Sequence, residues 1–292
     1  MKTLRETLAE AAKKKIAVAH FNIGNFEQLK AIAHAGMKLD VPVIIGVSEG
    51  ERGYLGVHHV ADLIKSYNAE HAKENGFRFY LNADHTHSLD KVKEAAEAGF
   101  DAVLFDGGKL PLEENIAQTK EAMRIVKGAN SNILVEGELG YIGSASEVRK
   151  ELPAGAAIRP EDLTKPEEAR RFVAETGVDM LAPAVGNIHG MFANAPDPAL
   201  DIARIRAIHE AIQIPMVLHG GSGNTDADFL AAIDAGVSII HISTELRIAW
   251  RKELEESLKE HPNEVAPYKV MPEVIAEIER IALARLRLFN RL

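Results

Sequence analysis

The sequence predicts an α/β fold, a (β/α)8 TIM barrel forming a single domain over residues 1–292 with a C-terminal helical extension. Three observations lead there. Short β-rich runs, mostly apolar on both faces, alternate with helical patterns, as buried parallel strands and their covering helices do. The length of 292 residues suits a barrel, which typically takes about 250. No composition break, low-complexity tract or linker divides the chain, so the repeats favour one closed barrel; a doubly wound open sheet is the competing arrangement.

Strands are expected at residues 16–21, 41–47, 78–82, Ala102–Phe105, 133–138, 180–184, 215–219 and 238–242. Between them lie helical stretches such as Phe26–Leu39, Leu89–Ala98, 112–127, 166–175 and 226–235. Several end at a glycine, Gly99, Gly177 or Gly236, which lets the chain leave the helix in the left-handed conformation. Residues 1–15 are charged and helix-like, without the apolar core of a signal peptide. Residues 141–162, rich in Gly, Ser, Ala and Pro, follow the fifth strand and are expected to form a lid or substrate loop. Residues 272–292 form a strongly amphipathic helix, read as the last covering helix, with an oligomer contact as the sharper alternative.

Composition narrows the partners. Apolar residues make up 46% and charged residues 26%, the balance of a globular protein with a sizeable core. The net charge of −9 argues against nucleic acid and anionic membranes as partners. It leaves room for a small anionic substrate, because backbone amides and a metal can make a local positive site. The absence of cysteine excludes disulfides, thiolate zinc sites and cysteine nucleophiles. No stretch approaches the roughly 18 apolar residues of a membrane span, and the chain reads as cytoplasmic.

Barrel enzymes carry their chemistry at the C-terminal ends of the strands. Here those ends read His20-Phe21-Asn22, Ser48-Glu49, Asp84-His85-Thr86-His87, Asp106-Gly107-Gly108 and Glu136-Gly137-Glu138. Asn187, His189 and Gly190 follow the sixth strand, His219-Gly220-Gly221-Ser222-Gly223 the seventh, and His241-Ile242-Ser243-Thr244 the eighth. His85, His189 and His219 would converge on the barrel mouth, and three imidazoles with a vacant fourth position describe a catalytic zinc site. Of the other histidines, His34, His58, His59, His71, His209 and His261 fall on helices or their ends and read as surface; His87 reads as an exposed loop residue. Asp84, beside His85, suits a proton donor or acceptor, with a structural hydrogen bond as the alternative. Glu136 and Glu138 share one strand face, where they orient metal ligands or serve a buried polar network. Gly190, Gly220, Gly221, Ser222, Ser243 and Thr244 gather backbone amides and hydroxyls where barrels commonly hold phosphate.

At these residues the chain resembles the class II, metal-dependent fructose-bisphosphate and tagatose-bisphosphate aldolases, from about Leu8 to Phe289. The carriers are Phe21-Asn22 with Glu27-Gln28-Leu29, Val47-Ser48-Glu49-Gly50, Asp84-His85, Glu113-Glu114-Asn115-Ile116, Val135-Glu136-Gly137-Glu138-Leu139-Gly140, His189-Gly190 and Val217-Leu218-His219-Gly220-Gly221-Ser222-Gly223. The resemblance implies reversible cleavage of fructose 1,6-bisphosphate to dihydroxyacetone phosphate and glyceraldehyde 3-phosphate. Its alternatives are an aldolase or epimerase on tagatose 1,6-bisphosphate or another ketose phosphate, and a non-catalytic metal-binding homologue. It implies zinc (Zn2+) or another divalent metal on His85, His189 and His219, with a monovalent cation as a further candidate cofactor. Asp84 matches the acid at the aldehyde oxygen, and Glu138 a carboxylate associated with a mobile metal. Gly190, Gly220, Ser222 and Thr244 match phosphate contacts, and Asn22 and Ser48 match positions near the substrate. A homodimer or homotetramer is implied as well. The alternative Schiff-base route needs an inward lysine, and the expected strands offer none; only Lys109 lies just past a strand end.

Three positions depart from the family pattern. The eighth strand carries His241 where asparagine is usual. His189-Gly190 runs into Met191-Phe192-Ala193-Asn194 without the usual lysine. The fifth-strand loop reads Gly143-Ser144-Ala145-Ser146-Glu147, which leaves Glu147 as the nearest acid for the catalytic base.

Overall fold

The computed structural model describes residues 2–143, 148–149, 159–192 and 198–292. Parallel strands close into an eight-stranded barrel. In chain order they are β1 (Val18–Asn22), β2 (Pro42–Val47), β3 (Arg78–Thr86), β4 (Ala102–Phe105), β5 (Leu134–Leu139), β6 (Met180–Pro183), β7 (Met216–Leu218) and β8 (Val237–Ile242). Each pairs with the next, and β8 pairs back onto β1. The helices are α1 (Leu4–Lys14), α2 (Phe26–Leu39), α3 (Glu49–Leu55), α4 (Val57–His71), α5 (Leu89–Ala98), α6 (Leu112–Ala129), α7 (Pro166–Thr176), α8 (Ile202–Ile212), α9 (Asp226–Asp234), α10 (Thr244–Glu260), α11 (Pro267–Val270) and α12 (Pro272–Asn290). Val148–Arg149 and Met191–Phe192 form a short parallel pair outside the barrel. Most of the expected lid segment lies outside the described residues.

Successive strand residues face opposite sides, and both sides are buried. Outward residues such as Phe21, Ile45, Phe79, Val103, Val135, Leu181 and Leu218 pack with the helices into one large core. Inward residues Val18, Ile44, Tyr80, Leu134, Met180, Val217 and Ile239 form a separate cluster with Leu4, Leu8 and Ala11 of α1. Helix α1 therefore plugs the N-terminal end of the barrel, and Thr7 Oγ1 meets the Tyr80 hydroxyl at 2.6 Å. Two residues further up, β1, β3, β5 and β8 turn His20, Asn82, Glu136 and His241 inward, which gives the opposite end its polar groups.

Most expected elements appear with shifted ends. β3 runs to Thr86 rather than residue 82, and α3 and α4 fill the segment before it. Gly99 and Gly177 cap α5 and α7 in the left-handed conformation, as expected. At α9 the cap is Ala235 in a right-handed conformation, with Gly236 (φ 116°) one residue later. α12 buries Val274, Ile278, Ala282, Leu286 and Phe289, at helical spacing, against α2, α10 and β1, so it is a covering helix of the barrel.

At the plugged end, Asp179 joins three elements. Its carboxylate accepts from Arg5 Nη2 (2.6 Å), Lys127 Nζ (2.7 Å) and the Val135 amide (2.8 Å). Burial pushes its pKa up, but the two cations and the amide outweigh burial and hold it below the usual carboxylate value. A lowered folded-state pKa stabilises the fold above the unfolded-state value near 4 and loses that effect as pH falls through the folded value. Asp179→Asn is therefore expected to cost about 1–2 kcal/mol at pH 7. Thermal melts at pH 7 and pH 3 check this, with the difference from wild type shrinking at the lower pH.

Candidate active site

The polar upper half of the barrel is built from inward strand positions. β1 contributes His20 and Asn22, β3 contributes Asn82 and Asp84, β5 contributes Glu136 and Glu138, and β8 contributes His241; all are buried. His219 follows β7, Asp106 follows β4, and His189 follows β6.

One ligand atom from each of His85, Glu138, His189 and His219 lies within 4.8 Å of the others. His85 Nε2 faces His219 Nδ1 at 3.1 Å. The remaining nitrogen of each is tied to a carboxylate: His85 Nδ1 to Asp106 Oδ2 (2.8 Å) and His219 Nε2 to Glu136 Oε1 (2.7 Å). Metal-binding histidines are characteristically oriented by a carboxylate on the far nitrogen in this way. Neither oxygen of buried Glu138 has a hydrogen-bond partner, and its Oε2 lies 3.6 Å from His85 Nδ1. An unpaired carboxylate beside three histidines fits a divalent cation.

The electrostatics agree. Burial opposes a charge on His85, but Asp84, Asp106 and Glu138 outweigh it and hold its pKa at about 10. Asp106 is held at about 2 against burial, chiefly by its bond to His85. Burial also pushes Asp84 up, yet His85, His20, His219 and the Asn22 amide hold it well below the usual carboxylate range. Burial and Asp106 push Glu138 well above its ordinary value. Burial and the neighbouring histidines hold His189 well below the ordinary imidazole value. The cluster thus favours a positive charge between its acids.

The backbone beneath is strained. His85 has φ 38°, and the register of β3 against β4 shifts between Ala83 and Thr86. A left-handed conformation at a non-glycine residue costs free energy and persists only where its surroundings hold it. Arg52 does so. Its buried guanidinium donates to Val47 O (2.6 Å), Asp84 O (3.1 Å) and Thr86 Oγ1 (2.9 Å), gripping the residues on both sides of His85.

Beside the cluster lies a cleft lined by Asn22, Asp84, His189 and His241 together with Gly190, Gly220, Gly221, Ser222, Ser243 and Thr244. Gly220 sits at φ 61°, and a Cβ there would meet Ile188 O at 2.1 Å, so only glycine fits. Ser222 Oγ accepts from the Ser243 and Glu245 amides at the start of α10. The N-terminus of a helix meets glycine-rich backbone here, an arrangement that suits an anion. A roomier cavity, about 130 Å³ against about 20 Å³, lies near α1 at the plugged end. It lacks the histidine cluster, so converging titratable groups locate the chemistry better than volume does.

The structure brings together all the sequence-predicted site residues that it describes, except Ser48. Ser48 is the N-cap of α3, its side chain accepting from the Glu51 amide, and it does not line the cleft. Glu147 and Ala193 lie outside the described residues. His87 has a 56% exposed side chain, as expected, although its Nδ1 comes to 3.6 Å from Asp106. Sequence reasoning missed Arg52, and Glu51, whose Oε2 accepts from Asn22 Nδ2 at 3.1 Å; both stand in a polar run with no periodic signal. It also left His20 and Asn82 unused, although each stands two residues before a site residue and so shares its face.

A parallel (β/α)8 barrel with a buried histidine–carboxylate cluster and an anion-binding backbone at its C-terminal mouth defines a metal-site enzyme acting on an anionic substrate. The comparisons make the class specific. The family model for fructose-bisphosphate aldolase class-II matches residues 2–291. The fructose-bisphosphate aldolase of Geobacillus stearothermophilus is 33% identical, covering 99% of this chain and 96% of its own. A probable fructose-bisphosphate aldolase of Bacillus subtilis is 32% identical, covering 99% and 97%. Among solved structures, the YdjI aldolase from Escherichia coli K12 superposes with a TM-score of 0.81 at 29% identity, covering 98% of this chain and 96% of its own. The chain belongs to the class II fructose-bisphosphate aldolase family, whose members are metal-dependent and act on phosphorylated sugars.

Arg52→Met is expected to leave three acceptors buried without their donor and to destabilise the protein by about 3 kcal/mol, read by urea denaturation. A loss below about 0.5 kcal/mol would show that Arg52 does not hold the strained turn.

Proposed function

We propose that this chain is a zinc-dependent aldolase that reversibly cleaves fructose 1,6-bisphosphate to dihydroxyacetone phosphate and glyceraldehyde 3-phosphate. The observation that carries the reading is the convergence of His85, His189, His219 and Glu138, with Asp106 and Glu136 tied to the far nitrogens of two of the histidines. A metal held there supplies a Lewis acid that polarises the substrate ketone and stabilises the negative charge that develops beside it. The chain's own groups do the rest.

Gly190, Gly220, Ser222, Ser243 and Thr244 bind the phosphate of the ketose and so fix its carbonyl near the histidines, while Gly221 lines the same cleft with its amide donated to His241 O at 3.2 Å. Asp84 lines the same cleft, and Asn22 Nδ2 donates to its Oδ2 at 2.8 Å. Its Oδ1 has no hydrogen-bond partner and is available to exchange a proton with the oxygen of the aldehyde half. A second group must remove the carbon-bound proton, and Glu147 is the acid proposed for it. Glu138, with two unpaired oxygens, is a further ligand for the metal.

His241, standing where family members usually have asparagine, supports a second reading with the same chemistry and another sugar, tagatose 1,6-bisphosphate or a related ketose phosphate. Assembly as a dimer or tetramer is proposed from the family resemblance.

Purified protein is expected to release triose phosphate from fructose 1,6-bisphosphate, to lose that activity with chelator and to regain it with zinc. His219→Ala should lose bound metal and at least about a hundredfold in activity together. Activity that survives in metal-free His219→Ala protein would defeat the zinc mechanism.

A further inference from the structure

Beneath the cleft, two buried histidines lie face to face. His20 of β1 and His241 of β8 are register partners, and their rings stack 3.4 Å apart at an interplanar angle of 3°. The seat for His20 comes from two further strands. Asn82 Nδ2 of β3 meets His20 Nε2 at 3.1 Å, and a Cβ on Gly46 of β2 would lie 1.9 Å from His20 Cε1, so that position must be glycine. His20 is wholly buried and does not line the cleft. Burial, opposed by Asp84, lowers its pKa to about 4, so the ring is neutral at ordinary pH. A neutral imidazole buried at this cost has no part in the chemistry described above.

His20, Asp84 and His241 also meet the spacing of a metal-ligand group. Parallel rings argue against that use. A cation binds in the plane of an imidazole, and no point lies in both of two parallel planes 3.4 Å apart. The pair is a stack.

The other groups around His241 define what it can read. Its Nδ1 lies 3.5 Å from Asp84 Oδ1, and the His219 ring packs 3.9 Å away, tilted by 37°. Nδ1 is the nitrogen turned toward the Asp84 carboxylate, an acceptor, so the matching tautomer has its proton on Nδ1 and leaves Nε2 as the acceptor. Nε2 is buried without a hydrogen-bond partner, and His241 lines the cleft together with Asp84, Gly220 and Ser222. A hydroxyl on the aldehyde half of the sugar, where the two epimers differ, is a donor of the matching kind.

We propose that His241 is a specificity-determining residue that accepts a hydrogen bond from a substrate hydroxyl, and that His20 is the positioning residue whose ring face fixes His241. The proposal rests on the aldolase reading above. It predicts discrimination between ketose bisphosphates that differ in hydroxyl configuration, because a buried acceptor left unpaired penalises the wrong epimer.

The test compares kcat and KM for fructose and tagatose 1,6-bisphosphates in wild type, His241→Asn, His20→Phe and His20→Gln. Zinc content and melting temperature are measured alongside. His20→Phe keeps a flat ring under His241 and loses the Asn82 bond; His20→Gln keeps a polar group and loses the ring. The ratio of kcat/KM for the two sugars is expected to shift about tenfold in His241→Asn and His20→Gln, and to stay within about twofold of wild type in His20→Phe, at unchanged zinc content. The double variant His20→Gln/His241→Asn should shift the ratio no further than His241→Asn alone. Unchanged ratios in His241→Asn, the opposite order of the two His20 variants, or additive effects in the double variant would each overturn the proposal. Should either His20 variant fail to fold, His241→Asn alone still decides the specificity claim. Wild-type protein that cleaves neither sugar would overturn the aldolase reading itself, an outcome distinct from cleavage with unchanged ratios.

Discussion

The upper half of the barrel must hold histidines and carboxylates away from water, and it can do so only because they compensate one another. An isolated buried charge costs several kcal/mol. Here Glu136 answers His219, Asp106 answers His85, and Asn22 answers Asp84, each within 2.8 Å. Among the described carboxylates of this layer, Glu138 is the one with neither oxygen in a hydrogen bond, and this imbalance suits a cation beside it. The apolar layer below, sealed by α1, has no such requirement and packs as an ordinary core.

Closure of the sheet makes this layer possible. In a parallel barrel every strand delivers its C-terminal end to one mouth, so residues distant in sequence meet there without long side chains. Register sets who meets whom: His20 lies opposite His241, and Glu136 lies level with Leu104 and Met180. The helices then close the mouth. The start of α10 donates amides to Ser222, and Arg52 of α3 reaches across to β3.

Precision at the site is bought with local strain. His85 leaves the strand in a left-handed conformation, and Gly220 turns where a Cβ would strike Ile188 O. Both sit at the cluster or the cleft. Arg52 stabilises the first by binding the residues on both sides of it, which links the integrity of α3 to the placement of Asp84 and His85.

Much of this was legible in the sequence, for identifiable reasons. Strand–helix alternation determined the barrel, because parallel strands buried on both faces leave unbroken apolar runs. The strand ends pointed to the three histidines, Asp84 and the glycine-rich segment that gather at one mouth, because barrel chemistry is confined to one end. Spacing by two placed Glu136 and Glu138 on one inward face. Other features were decided only by tertiary structure. Ser48 became a helix cap, because its hydroxyl was claimed by the amide three residues on. Arg52 became the clamp on β3 through a helix that no periodic pattern announced. The stacking of His20 on His241 depends on the register between the first and last strands, which is set by closure of the whole barrel and by no local run of residues.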